Sequence, residues 1–193
     1  MKKSMFKYLP NVLTLINMMF GMLVILLVIR NSEPETKLIC AMLILTGGVI
    51  DGFDGALARY LNAVTDIGKQ LDSFADLLTF GVAPMCLLSS LSFWRESDLF
   101  IFFLWIFPLA GAFRLARYNL STFSKHFVGL PITIAGMLIT VFCVVSPSIQ
   151  TVTTESFCGS MALFLIIMLS AMMVSTVKIK RLRLLSVKAY LKK

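Results

Sequence analysis

The chain has 193 residues, 58% hydrophobic and 15% charged, with a mean hydropathy of +0.88. A soluble domain carries about 45–50% apolar and about 25% charged residues, so this composition excludes an ordinary water-soluble globule; the length fits a single domain, 1–193. The net charge of +8 does not point to nucleic acid, because Lys and Arg sit at the termini and in short gaps between apolar runs, as topology signals do.

Six segments are long enough to cross a hydrocarbon core about 30 Å thick. The start, MKKSMFKYLP, has the look of a signal peptide. The apolar run behind it is too long for one and ends without a small-residue cleavage site, so Leu9–Ile29 is expected to be a retained first span. Asn31-Ser32-Glu33-Pro34 breaks the chain before a second span, Leu38–Arg59, and a short turn at Asn62-Ala63 leads to a third, Ile67–Leu91. Within the third, Gly81 and Pro84 are expected to kink the helix. A fourth span covers Leu99–Tyr118; Gly129-Leu130-Pro131 opens a fifth over Pro131–Ile149, with Pro near the first turn. The sixth, Phe157–Val177, runs into a basic tail, Lys178–Lys193, that fits equally an interfacial helix or a solvated anchor. The sequence thus predicts an all-α integral membrane protein with six transmembrane helices.

With that threading, fifteen Lys and Arg residues fall on one side and three, Arg30, Lys37 and Arg95, on the other. By the positive-inside rule both termini are expected to be cytoplasmic. The cysteines (Cys40, Cys86, Cys143, Cys158) and the single His126 lack metal-ligand spacing. A thiophilic metal centre is not expected.

Five acids do not belong in such a chain. Asp51, Asp54, Asp66, Asp72 and Asp76 fall within 26 residues at the cytoplasmic ends of spans two and three. An Asp at the centre of a spanning helix costs roughly 2.5–3.5 kcal/mol on insertion scales, so a cation or a wet cavity must make the group tolerable. Asp51, Asp54, Gly55 and Ala58 share one helical stripe at i, i+3, i+4 and i+7; Gly68, Asp72 and Asp76 share another at i, i+4 and i+8. The short turn makes the helices antiparallel neighbours. Four carboxylates can then converge, with Asp66 left as a helix cap. Oxygen donors of this kind suit Mg²⁺, Mn²⁺ or Ca²⁺. Gly55, Ala58 and Gly68 leave no bulk, and Arg59 adds a fixed cation suited to phosphate. Together these features describe a diphosphate cradle better than a seam for helix packing.

The run from Asp51 to Asp76 resembles the full signature of the CDP-alcohol phosphotransferases, D-x-x-D-G-x-x-A-R-x(8)-G-x-x-x-D-x-x-x-D, with no fixed position missing. The six-span reading agrees with that family's bundle. The resemblance implies that Asp51, Asp54 and Asp72 are metal ligands and that Asp76 completes the metal site while acting as general base. It also implies that Gly55, Ala58, Arg59 and Gly68 line the CDP-binding cleft. Two ions, Mg²⁺ or Mn²⁺, and a homodimer follow from the resemblance alone.

Flanking residues narrow the choice. Asp72-Ser-Phe-Ala-Asp76-Leu-Leu-Thr-Phe-Gly81-Val-Ala-Pro84 resembles the extended motif of the phosphatidylserine synthases within the family. So do Arg114-Leu-Ala-Arg117-Tyr-Asn119 and Gly129-Leu-Pro131-Ile-Thr-Ile-Ala-Gly136. The implied reaction moves a phosphatidyl group from CDP-diacylglycerol to L-serine with release of CMP, at a cell-membrane site facing the cytoplasm. Arg114 and Arg117, about a turn apart on the acids' side, are candidates for the serine carboxylate or a phosphate. Lys69 reads better as a solvated helix-end lysine. The alternatives are a sibling acceptor, as in phosphatidylglycerophosphate synthases, and, from another class, a cation transporter. Clustering of every intramembrane acid at one face argues against the transporter.

Overall fold

A computed structural model describes residues 9–31, 33–61, 63–92, 98–120, 127–150, 153–176 and 178–179. The lysines before Leu9, Arg95, Lys125, His126 and the basic tail from residue 180 onward lie outside them. Among the described residues, seven α-helices follow in order: α1 (Leu9–Arg30), α2 (Pro34–Tyr60), α3 (Asp66–Asp76), α4 (Ala83–Ser89), α5 (Asp98–Leu120), α6 (Ile132–Gln150) and α7 (Glu155–Val174). α3 and α4 are halves of one continuous segment, Asp66–Ser89, joined by a π-helical stretch at Leu77–Val82. Among the described residues, five segments are long and apolar enough to cross a membrane: α1, α2, Asp66–Ser89, α6 and α7. The sixth expected span is α5, 23 residues long, whose last turns carry Arg114 and Arg117.

Many large apolar side chains of the described residues are exposed. Met19, Leu26, Ile29, Phe102, Trp105 and Phe164 are all more than 60% exposed, a distribution that suits lipid and not water. Inside, Phe80, Phe107, Ile44, Leu87, Ile139 and Ile166 are fully buried. Helix α1 packs on α2 and α3, α2 on α6, α5 on α7, and α6 on the π-helical stretch.

That stretch is where the expected kink lies, and it takes the form of a widened turn. Pro84 has no N–H to give to Phe80, four residues back, and its ring would crowd that carbonyl. The chain widens instead, and the Ala83 N–H reaches the Leu78 carbonyl, five residues back. The Phe80 carbonyl turns against α6, and a Cβ at Gly136 would collide with Phe80 O and sit 2.8 Å from Phe80 Cα. Only glycine permits that approach. On the other side Thr79 Oγ1 donates to the Asn17 carbonyl of α1 at 2.9 Å. The segment is held from two helices.

The chain between α5 and α6 is tied to the end of α7. Gly129 adopts φ 77°, with Met173 O 2.5 Å from where a Cβ would lie. The Leu130 N–H donates to Met172 O at 3.1 Å. Phe127–Val128 (β1) pairs antiparallel with Lys178–Ile179 (β2). The first residues of the basic tail are therefore strand, not the interfacial helix entertained from sequence. The cause is local: carbonyls left over at the end of a helix need donors, and the neighbouring chain supplies them.

Candidate active site

The last three turns of α2 turn one stripe inward. Asp54 is buried at 3% exposure and Asp51, Gly55 and Ala58 are half-buried, whereas Gly52, Phe53 and Ala56 are exposed. The i, i+3, i+4, i+7 spacing accounts for this split. Among the described residues, the side-chain group that an added Cβ at Gly55 would meet is the Arg59 guanidinium, at 4.0 Å. Arg59 itself is exposed and folds back along its own helix.

Helix α3 starts on Thr65, whose hydroxyl accepts the Gly68 N–H at 3.0 Å from an extended backbone (φ −127°, ψ 157°). This corrects the reading of Asp66 as the cap. Asp66 is the first helical residue, where a carboxylate favours the positive helix end, and it pairs with Lys69 at 3.1 Å in solvent. Lys69 is thus occupied at the surface. Gly68 faces α1, with Asn11 Oδ1 and Thr65 Oγ1 each 3.0 Å from where a Cβ would stand. Its lack of a side chain is explained by this approach as well as by any ligand.

Asp51, Asp72 and Asp76 come together: one carboxylate oxygen of each lies within 4.8 Å of the others, and all three are half-buried. Two ionised carboxylates at that distance repel by about 3–4 kcal/mol at an effective dielectric of 20. Among the described residues no salt bridge reaches any of the three; the single one found is Lys69 with Asp66. Thr133 of α6 donates to Asp51 Oδ2 at 3.3 Å. Asp76 Oδ1 is buried with no hydrogen-bond partner. Three converging oxygen donors, one of them orphaned, fit a divalent hard cation and fit poorly a closed polar core. Asp54 stands outside this group and accepts from Thr14 Oγ1 at 2.9 Å.

The two arginines of α5 have different surroundings. Arg114 is 6% exposed, and its Nε has no hydrogen-bond partner among the described residues. Arg117 spends its guanidinium on the end of α7: Nη1 donates to Val174 O at 2.8 Å and Nη2 to Ser175 O at 3.1 Å, with the Phe113 ring 5.9 Å from Cζ. Two residues further, Asn119 Nδ2 donates to Ser73 Oγ at 2.9 Å, which ties α5 to α3 beside Asp72.

Of the residues singled out from sequence, the structure brings together Asp51, Asp72 and Asp76. Asp54 lies one turn along α2. Gly55 and Ala58 are half-buried and Arg59 exposed at its end, and Arg117 is engaged elsewhere. Sequence reasoning passed over Thr14 and Thr133, the hydroxyls that reach two of the acids. The available signal was a polar side chain in an otherwise apolar span, at a position where Val would fill the same space.

The sequence profile of the CDP-alcohol phosphatidyltransferase family matches residues 7–177. Over 136 residues the chain is 38% identical to a Bacillus subtilis protein named CDP-diacylglycerol–serine O-phosphatidyltransferase, covering 69% of this chain and 74% of that one. A Methanocaldococcus jannaschii protein of the same name is 40% identical over 130 residues, 67% of this chain and 57% of its own, so the chain spans little more than half of that relative. Archaetidylserine synthase of Methanothermobacter thermautotrophicus is 32% identical over 184 residues, 93% of this chain and 72% of the relative. With the signature intact on the two helices whose acids converge, and the profile running through nearly every span, the chain belongs to the CDP-alcohol phosphatidyltransferase family.

Proposed function

We propose that this chain transfers the phosphatidyl group of CDP-diacylglycerol to L-serine, releasing CMP, at the acidic end of the bundle. The observation that carries the reading is the convergence of Asp51, Asp72 and Asp76 within 4.8 Å. Relatives named for this reaction at 38% and 40% identity support serine as the acceptor.

The donor has its acyl chains in lipid and its diphosphate at the membrane surface. Asp51, Asp54, Asp72 and Asp76 would hold the Mg²⁺ or Mn²⁺ pair. Those ions, when bound, neutralise the diphosphate and stabilise departing CMP. Gly55, Ala58 and Arg59 lie at the helix end where the nucleotide would emerge; Arg59 would meet a phosphate, and Gly68 would line the facing turn. A serine hydroxyl is a weak nucleophile and needs a base within hydrogen-bond reach. Asp76, whose Oδ1 has no hydrogen-bond partner among the described residues, takes that proton. The serine oxygen attacks the phosphorus bearing diacylglycerol, the bond to the CMP oxygen breaks, and CMP leaves as the anion. Arg114 offers its unpartnered Nε to the serine carboxylate or a phosphate oxygen. Arg117 serves by fixing α5 against α7.

The cytoplasmic orientation, the cell-membrane location and the homodimer belong to the same proposal; the distribution of Lys and Arg supports the first. The decisive experiment supplies purified protein with CDP-diacylglycerol, Mn²⁺ and, in parallel, L-serine or glycerol 3-phosphate. Phosphatidylserine and CMP, identified by mass, are expected with serine alone. CMP release only with glycerol 3-phosphate overturns the acceptor, and no CMP with either overturns the transfer.

A further inference from the structure

Asp54 differs from the other three acids. It is buried at 3% exposure and lies outside the group formed by Asp51, Asp72 and Asp76. Its contact reaches across to α1, where the Thr14 hydroxyl lies 2.9 Å from Asp54 Oδ2. Thr14 is itself 5% exposed. Its hydroxyl has a second acceptor, the Pro10 carbonyl one turn back at 3.1 Å. A threonine inside a helix commonly donates to that carbonyl and does nothing else. One hydroxyl carries one proton, so the two acceptors compete. An ionised carboxylate accepts a stronger bond than a carbonyl whose own helix already provides for it, and here it is also the nearer.

Helix α1 cannot drift away from this contact. One turn beyond Thr14, the Asn17 carbonyl accepts from Thr79 at 2.9 Å, in the π-helical stretch that begins directly after Asp76. α1 is therefore pinned to both acid-bearing segments, to α2 through Asp54 and to the third span through Thr79.

We propose that Thr14 is the positioning residue for Asp54: its hydroxyl fixes that carboxylate's orientation and makes α1 part of the divalent-ion site. The inference rests on the reading above, in which the four acids hold divalent ions. Partners of this kind behind a metal ligand are typically worth about 10–100-fold in metal affinity.

The test measures Mn²⁺ binding to the purified full-length protein, by the electron paramagnetic resonance of free Mn²⁺, without any turnover. Thr14→Val should weaken binding about 10–100-fold, and Thr14→Ser, which keeps the hydroxyl, should restore it. In an Asp54→Ala background Thr14→Val should cost nothing further, since the two act as one unit. Equal affinity of Thr14→Val and the unmodified protein overturns the proposal, as does a Thr14→Ser variant as weak as Thr14→Val. So does a further loss in the Asp54→Ala background, which marks a general packing defect. An unmodified protein that binds no Mn²⁺ sinks the divalent-ion reading itself. One that binds Mn²⁺ but makes no phosphatidylserine sinks the proposed reaction and leaves Thr14's role standing.

Discussion

The two ends of the bundle are built from the same helices and differ in what fills the space between them. At the end away from the acids, Cys40, Leu87, Leu88, Leu91 and Cys143 close the interior. The crevice that remains there, about 340 Å³, is lined among the described residues by Leu38, Leu91, Val144 and Pro147 with one cation, Lys37, and no carboxylate. At the acidic end the corresponding positions hold Asp51, Asp72, Asp76 and Arg114, and polar atoms are left without partners. Chemistry here follows donor groups and not volume. A membrane interior stabilises apolar contacts at every level, so unpaired buried charge persists only where something outside the chain completes it.

The sharpest way to break that contrast is to remove the proposed base. Asp76→Asn should lower CMP release about 10²–10⁴-fold without lowering the thermal midpoint, because it also removes a charge from a repelling group. A variant with full turnover would sink the assignment. Next in size is the ion itself. Mn²⁺ at 100 times its dissociation constant should stabilise the protein by about 2.7 kcal/mol, seen as a midpoint that rises with Mn²⁺ and falls back with EDTA; a midpoint indifferent to both would leave the acidic end as inert as the other. Gly136→Ala should cost about 1–3 kcal/mol, because the new methyl meets the Phe80 backbone, which has nowhere to move; denaturation of the variant in detergent reads this directly. At the small end, Lys37→Ala in the remote crevice and Lys69→Ala in the exposed pair with Asp66 should leave turnover unchanged, since surface pairs contribute little. A large loss in Lys37→Ala would make the remote crevice part of the function.

Much of this was legible in the sequence because helices are local objects. The spans expected at Leu9–Ile29, Leu38–Arg59 and Pro131–Ile149 meet α1, α2 and α6 within a turn at most ends, since apolar runs and Asn/Gly/Pro breaks act over a few residues. The inward stripe of Asp51, Asp54, Gly55 and Ala58 was legible for the same reason: period 3.6 fixes which side chains share a face. What one helix does to another was not. That Asp54 would turn to Thr14 while Asp51 met Asp72 and Asp76 depends on how α1 and α2 are rotated about their axes, and no spacing within one helix reports that angle. The engagement of Arg117 by the end of α7 spans 57 residues of chain and leaves no local trace. The cap was a nearer miss. Thr65 and Asp66 are adjacent, and both residue types favour helix starts, so only the backbone angles decide between them.

The widened turn at Leu77–Val82 sets the phase between two halves of one span. A π-helical turn takes in one residue more than an α-turn does, and each α-helical residue advances the helix by about 100°. Asp72 and Asp76 before it belong to the acidic group, and Ala83, Leu87 and Leu88 after it are buried in the packed interior. Losing one residue within this segment would swing the acids toward lipid or the apolar face toward the pocket, and a compensating gain within the same turn is the natural repair. Length in this stretch, more than the identity of any side chain there, keeps the acidic pocket and the packed interior in step.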